Sequence, residues 1–137
     1  TDMSGRNLSG HSIEAFWASV RHSNPLAIGL NCAFGADRLR PHMQAISDLA
    51  DTLVIGYPNA GLPNELGEYD ECADRTREKL SQWVEMGLVN IVGGCCGTTP
   101  EHIRAIAEMA DGQPPRAIPE GISQTFLAGL EPMTLAA

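Results

Sequence analysis

Three cysteines concentrate the chemistry of this chain: Cys32, and the adjacent pair Cys95 and Cys96. Each follows an apolar run, Leu26-Ala27-Ile28-Gly29-Leu30-Asn31 before the first and Leu88-Val89-Asn90-Ile91-Val92-Gly93-Gly94 before the pair. Soft thiolates gathered at one point suit zinc at ~2.3 Å, and three protein ligands leave a fourth position open, as in catalytic rather than structural sites. Gly93, Gly94 and Gly97 give the backbone the freedom to aim two neighbouring thiols at one ion. Singly, each cysteine has a plainer reading. A lone cysteine at a strand end commonly packs as a small apolar side chain, and an adjacent pair can serve as a redox switch. Three thiols, each after a buried strand, favour a metal. Cys72 stands in the acidic stretch Glu68 to Asp74, where a helix should begin, and is expected to be a bystander.

Thiols distant in sequence need rigid carriers. The near-continuous apolar runs 26–31, 52–57 and 88–93 predict strands buried on both faces of a parallel sheet. Amphipathic helices alternate with them. Ser12 caps the first, with Ile13, Phe16, Trp17 and Val20 on one face and Asn24-Pro25 as its stop. Asp37 opens the second, with Pro41 in its first turn and Leu39, Met43, Ile46 and Ala50 turned inward. The third is expected over about 73–86, built on Leu80, Trp83 and Val84 and stopped by Gly87. For the fourth, Thr99 as N-cap with Pro100 at N1 is the better start, and Thr98 with Glu101 as a capping box the other. Ile103, Ile106 and Met109 or Ala110 should face its core. From about residue 111 a Pro- and Gly-rich tail is expected to wrap the surface.

This alternation predicts an α/β fold with right-handed crossovers, either an open doubly wound sheet or part of a (β/α)8 barrel. A full barrel takes about 250 residues, and this chain has 137. In either case function belongs at the carboxyl ends of the strands. Asn31-Cys32, Tyr57-Pro58-Asn59-Ala60-Gly61 and Gly93 to Gly97 fall there. Asn59 could shape its turn or bring its side-chain oxygen to the open position of the metal, and the loop 58–64 is a candidate pocket wall. The amides of Gly97 and Thr98, just before a helix, could receive a substrate carboxylate. His11, His22, His42 and His102 read as surface residues.

The net charge of −8 argues against a nucleic-acid partner, and no apolar run reaches the length of a membrane span. With no secretory leader and with two cysteines adjacent, reduced thiols in the cytoplasm are expected.

Gly29-Leu30-Asn31-Cys32, then Tyr57-Pro58-Asn59-Ala60-Gly61-Leu62-Pro63-Asn64, then Gly93-Gly94-Cys95-Cys96-Gly97-Thr98-Thr99-Pro100-Glu101-His102-Ile103 together resemble the homocysteine-binding domain of the homocysteine S-methyltransferase family, in its cobalamin-dependent methionine synthase branch. The betaine- and S-methylmethionine-dependent branches share the cysteine elements and look more distant in the Asn59 loop. The resemblance implies the C-terminal half of a (β/α)8 TIM barrel, about three parallel strands with flanking helices, with zinc on Cys32, Cys95 and Cys96. It further implies that residues 1–137 are a partial homocysteine-binding domain, with Asp2 at the end of a preceding strand and a place among the substrate contacts with Asn59, Gly97 and Thr98. No catalytic residue beyond the zinc ligands is expected. Zinc would activate the homocysteine thiol, and methylcobalamin and 5-methyltetrahydrofolate would act through modules outside this chain. A lone half-barrel, with open sheet edges, would be inactive and prone to self-association.

Overall fold

The computed structural model describes residues 1–121 and 124–135. Helix α1 (Ile13–Val20) starts where Ser12 accepts the Ala15 amide at 3.2 Å. It passes into a single 3-10 turn, Arg21–Ser23, and Asn24 at φ 50° ends it before Pro25. Strands β1 (Ala27–Gly35), β2 (Leu53–Asn59) and β3 (Ile91–Val92) form one parallel sheet in the order β1-β2-β3. Helices α2 (Ala36–Leu49) and α3 (Ala73–Glu85) make the crossovers, and α4 (Pro100–Ala110) follows β3. The result is an α/β fold with a three-stranded parallel sheet flanked by helices, compatible with half of a TIM barrel.

The expected inward face of α2 is buried: Leu39, Met43, Ile46 and Ala50 have no exposed surface, and neither do Leu80 and Trp83 of α3. They pack with Val54, Ile28, Leu88 and Ile106 in one core between helices and sheet. Gly56 of β2 keeps that core closed, since a Cβ there would lie 2.6 Å from Trp83 and 3.0 Å from Met43. Gly56→Ala is expected to destabilise the fold by about 1–3 kcal/mol through overpacking, measurable as a lowered urea midpoint at constant slope. An unchanged midpoint would show that the core can give way there.

Several expectations are corrected. The strands are not buried on both faces. Burial in β2 alternates, with Val54, Gly56 and Pro58 buried and Leu53, Ile55 and Tyr57 half-buried, because helices cover only one side. The third run contracts to two residues; in place of a longer ladder, Asn90 takes the Val54 amide on its side chain at 2.9 Å. Pro41 sits in the second turn of α2, since the helix begins at Ala36 with Gly35 as N-cap. Lacking an N–H, Pro41 leaves the Asp37 carbonyl without its helical donor. Ile103 is exposed, and His102 takes the buried position beside Ile106.

The tail is also more structured than expected. Arg116 is buried, and beyond it β4 (Thr125–Ala128) and β5 (Pro132–Leu135) pair as an antiparallel hairpin packed against α1. The Arg21 guanidinium lies 5.3 Å from the Phe126 ring centre, and Ser12 donates its amide to the Leu130 carbonyl at 3.0 Å. Among the described residues, no helix is long and apolar enough to cross a membrane.

Candidate metal centre

Strands β1 and β3 are separated by β2, about twice the ~4.8 Å interstrand spacing, so cysteines at regular strand ends would not meet. The chain solves this at Cys32. Asn31 pairs with Tyr57, but the next registered pair is Gly35 with Asn59, so four steps along β1 match two along β2. The surplus is taken up by Cys32 and Ala33, at φ 56° and 63°. Left-handed backbone costs an L-residue about 1–2 kcal/mol, and two in succession without glycine mark a segment held by its surroundings.

The paired cysteines are tied to the end of β2. Gly93 donates to Gly56 O at 3.0 Å and Cys95 to Pro58 O at 2.8 Å, while Cys96 O accepts from Ala60 N at 2.8 Å. Gly97 turns the chain at φ +77°, and a Cβ on it would strike Tyr69. The loop then enters α4 at Thr99, which is the N-cap with Pro100 at N1. Its capping-box partner is His102, not a carboxylate or amide.

The three sulfurs converge. Cys32 and Cys96 Sγ are 3.4 Å apart, Cys95 and Cys96 Sγ 4.0 Å, and all three lie within 4.8 Å of one another. Tetrahedral zinc with ~2.3 Å bonds separates its sulfurs by about 3.8 Å, inside that range. A disulfide needs ~2.05 Å, and all four cysteines are free thiols. Hydrogen bonds from Cys96 and Cys95, helped by the Ala33 amide and Asn59, hold Cys32 below the ordinary thiol pKa against its partial burial. Cys95 is pushed up, first by burial and then by donating to its two neighbours. Cys32 therefore holds negative charge more readily than Cys95, the starting point for exchanging thiol protons for a cation. Among the described residues this is the one group of three or more metal-capable side chains; Cys72, exposed at the N-cap of α3, lies outside it.

The other expected residues divide. Asn59 is buried beneath the sulfurs, with Oδ1 accepting the Cys96 amide at 3.2 Å. The Thr98 amide donates to Cys95 O at 3.1 Å. Its hydroxyl is buried without a partner, and a Cβ on Gly94 would lie 2.2 Å from it. Asp2 belongs to an N-terminal turn, where Oδ1 accepts from Ser4 N at 2.8 Å, Ser4 Oγ at 2.7 Å and Arg6 N at 2.9 Å. These bonds, Ser4 Oγ first, lower its pKa. Tyr69 was not foreseen. Its side chain lies against the Gly97 backbone, and burial first, then the neighbouring cysteine thiols, raises its pKa. The sequence signal for it is an aromatic residue set among acids in Glu68-Tyr69-Asp70-Glu71, beyond the 58–64 loop marked as a pocket wall.

The sequence profile of the homocysteine S-methyltransferase family matches residues 1–110. The chain belongs to that family. This homocysteine S-methyltransferase family member carries all three thiols, Asn59, Tyr69 and His102 inside the matched segment, which ends with α4. Membership makes methyl transfer to homocysteine its class of reaction, and the sulfur cluster could hold a metal such as zinc.

Proposed function

We propose that Cys32, Cys95 and Cys96 hold one zinc ion whose open position receives the homocysteine thiol, for methyl transfer from methylcobalamin to give methionine. The observation that carries this reading is the convergence of three sulfurs within 4.8 Å. A free thiol, with pKa near 8.5, is only a few per cent thiolate at pH 7. A zinc ion held by the three cysteines would supply the missing activation, by favouring the deprotonated, nucleophilic form of a bound thiol at neutral pH. The three cysteine thiolates give the centre a net charge of −1, which keeps the incoming sulfur electron-rich.

Asn59, already against Cys96, is the residue we assign to the open position before substrate arrives. With the Thr98 amide bonded to Cys95, Gly97 is left to meet the substrate carboxylate, with Thr98 shaping the turn. Asp2 uses only Oδ1 within its turn, and its other oxygen suits the substrate ammonium group. The half-open sheet face would line the interior of a (β/α)8 barrel completed by further strands. Cobalamin and 5-methyltetrahydrofolate would act through other modules of a cytoplasmic parent enzyme. Betaine or S-methylmethionine as donor would leave the acceptor chemistry unchanged; the resemblance of the Asn59 loop favours methylcobalamin. A closed structural site needs a fourth protein ligand of the cysteine or histidine kind, and none joins the cluster among the described residues.

Zinc analysis with X-ray absorption tests the reading. One zinc per chain with three sulfurs is expected, rising to four sulfurs when homocysteine is added. Four sulfurs before addition, or no change after it, would overturn the open-site assignment.

A further inference from the structure

Between β2 and α3, residues 61–72 form an arm that is stiff within itself. Pro63 and Tyr69 pair as an isolated antiparallel bridge. Asn64 holds the turn between them. Its amide donates to Glu68 O at 2.8 Å, its Oδ1 accepts the Leu66 and Glu68 amides at 2.9 Å each, and its Nδ2 donates to Asp70 at 2.9 Å. A unit braced in this way moves as one body, so its place is set where it is attached. That place matters to the metal centre. Tyr69 rests on the Gly97 backbone, where a Cβ would come within 2.4 Å of Tyr69 Cβ and 2.5 Å of Cγ.

The attachment is Glu71, whose side chain is 9% exposed. Its Oε1 accepts the Thr76 hydroxyl at 2.9 Å and its Oε2 the Lys79 ammonium at 2.5 Å, which reaches on to Asp37 at 2.9 Å. The side chain thereby ties the arm to α3 and, through Lys79, to α2. The backbone carbonyl of Glu71 reaches α4, the helix that follows the paired cysteines, through His102 Nε2 at 2.8 Å. The other ring nitrogen, Nδ1, accepts the Thr99 amide at 3.2 Å. An amide can only donate and a carbonyl can only accept, so the ring is neutral with its proton on Nε2.

We propose that His102 is a positioning residue for homocysteine: by donating to the Glu71 carbonyl it holds the arm against Gly97, the amide assigned to the substrate carboxylate. This rests on the proposed function above and adds to it the group that keeps the carboxylate end of the pocket in place. The cysteines hang on other bonds, from Cys95 N to Pro58 O and from Ala60 N to Cys96 O, so zinc affinity should be indifferent to the latch. A single neutral hydrogen bond shifts a local equilibrium by about 3–10-fold.

His102→Asn tests the latch, because asparagine can still accept the Thr99 amide but is too short to reach Glu71. Hydrogen exchange of the full chain should quicken about 3–10-fold over residues 61–72 while the amides of β2 stay as slow as in wild type. In the complete methyltransferase, KM for homocysteine should rise by a similar factor with kcat and zinc content held. His102→Gln, which offers both an acceptor and a donor, should restore both readings. Independently of any variant, the ring nitrogen shifts of His102 should report the proton on Nε2. Unchanged exchange over residues 61–72 in His102→Asn, or a proton on Nδ1 in wild type, would overturn the latch. A loosened arm with KM unchanged would overturn its role toward the substrate. A wild-type zinc centre that gains no sulfur from homocysteine would instead overturn the reading on which this one rests, and leave the exchange result standing.

Discussion

Cys95→Ser should lose zinc under conditions where the unaltered chain retains it, with affinity lower by about a hundredfold or more. Structural zinc binding is worth roughly 10–16 kcal/mol over four ligands, so one ligand carries about 3 kcal/mol, and each 1.4 kcal/mol is tenfold. Serine keeps the size of the side chain, but its hydroxyl does not ionise near neutral pH and is a hard donor. The fold should survive, because Cys95 is half-buried at the rim and its amide bond to Pro58 O does not use the side chain. Cys32→Ser should do the same and also relieve the reason for the left-handed backbone at Cys32 and Ala33. Cys72→Ser should change nothing, since that thiol stands apart from the cluster. Zinc stoichiometry by mass spectrometry of the dialysed chain decides the matter. Full retention of zinc by Cys95→Ser would mean that the metal sits elsewhere. In the complete methyltransferase, activity should fall with the metal, and activity that survived zinc loss would refute the role assigned to the centre.

That centre was readable because its parts announce themselves locally. Thiols after apolar runs, glycines on both sides of a vicinal pair and a Thr-Pro helix start are all short-range signals, and the rule that strand carboxyl ends form the functional rim brought them together. The way they meet was not readable. Nothing in Asn31-Cys32-Ala33-Phe34 lacks a Cβ, so sequence reasoning had no cue for two successive left-handed residues, although these carry Cys32 across β2. His102 was misjudged because a histidine on a helix edge resembles a surface residue until a distant acceptor, here the Glu71 carbonyl, is known. Tyr69 was overlooked for a similar reason. The backbone it packs on, at Gly97, lies 28 residues on, across a loop with no periodic pattern to phase it. Continuous apolar runs predict doubly buried strands, but alternation in β2 shows that only one face is covered.

The largest miss concerns stability, and it yields the second strong prediction: Arg116→Met should cost at least about 3 kcal/mol. A Pro- and Gly-rich stretch with one arginine reads as a surface tail, yet Arg116 is only 4% exposed. Its guanidinium donates to Ser47 O at 2.5 Å, Ala50 O at 2.6 Å, Ser47 Oγ at 2.9 Å and Thr52 O at 3.0 Å. These groups form the last turn of α2 and its exit to β2, where unpaired carbonyls and the negative end of the helix dipole favour a cation. Burial lowers the Arg116 pKa, opposed by the Asp48 carboxylate, but an arginine stays charged there. Methionine would fill much of the volume and leave the buried Ser47 and Ala50 carbonyls without their donor, each a penalty of about 1–3 kcal/mol, and the part-buried Thr52 carbonyl as well. The backbone contact of Arg116 with Val89 and its carbonyl bond from Asn90 would lose their anchor as well. Lysine retains the charge but lacks the planar fork that reaches several carbonyls at once, so Arg116→Lys should recover only part of the loss. Thermal unfolding followed by circular dichroism should show a midpoint lower by roughly 10 °C for Arg116→Met. A midpoint within about 2 °C of the unaltered chain would mean that the segment from 111 onward adds little to the fold, and that α2 ends as well without it.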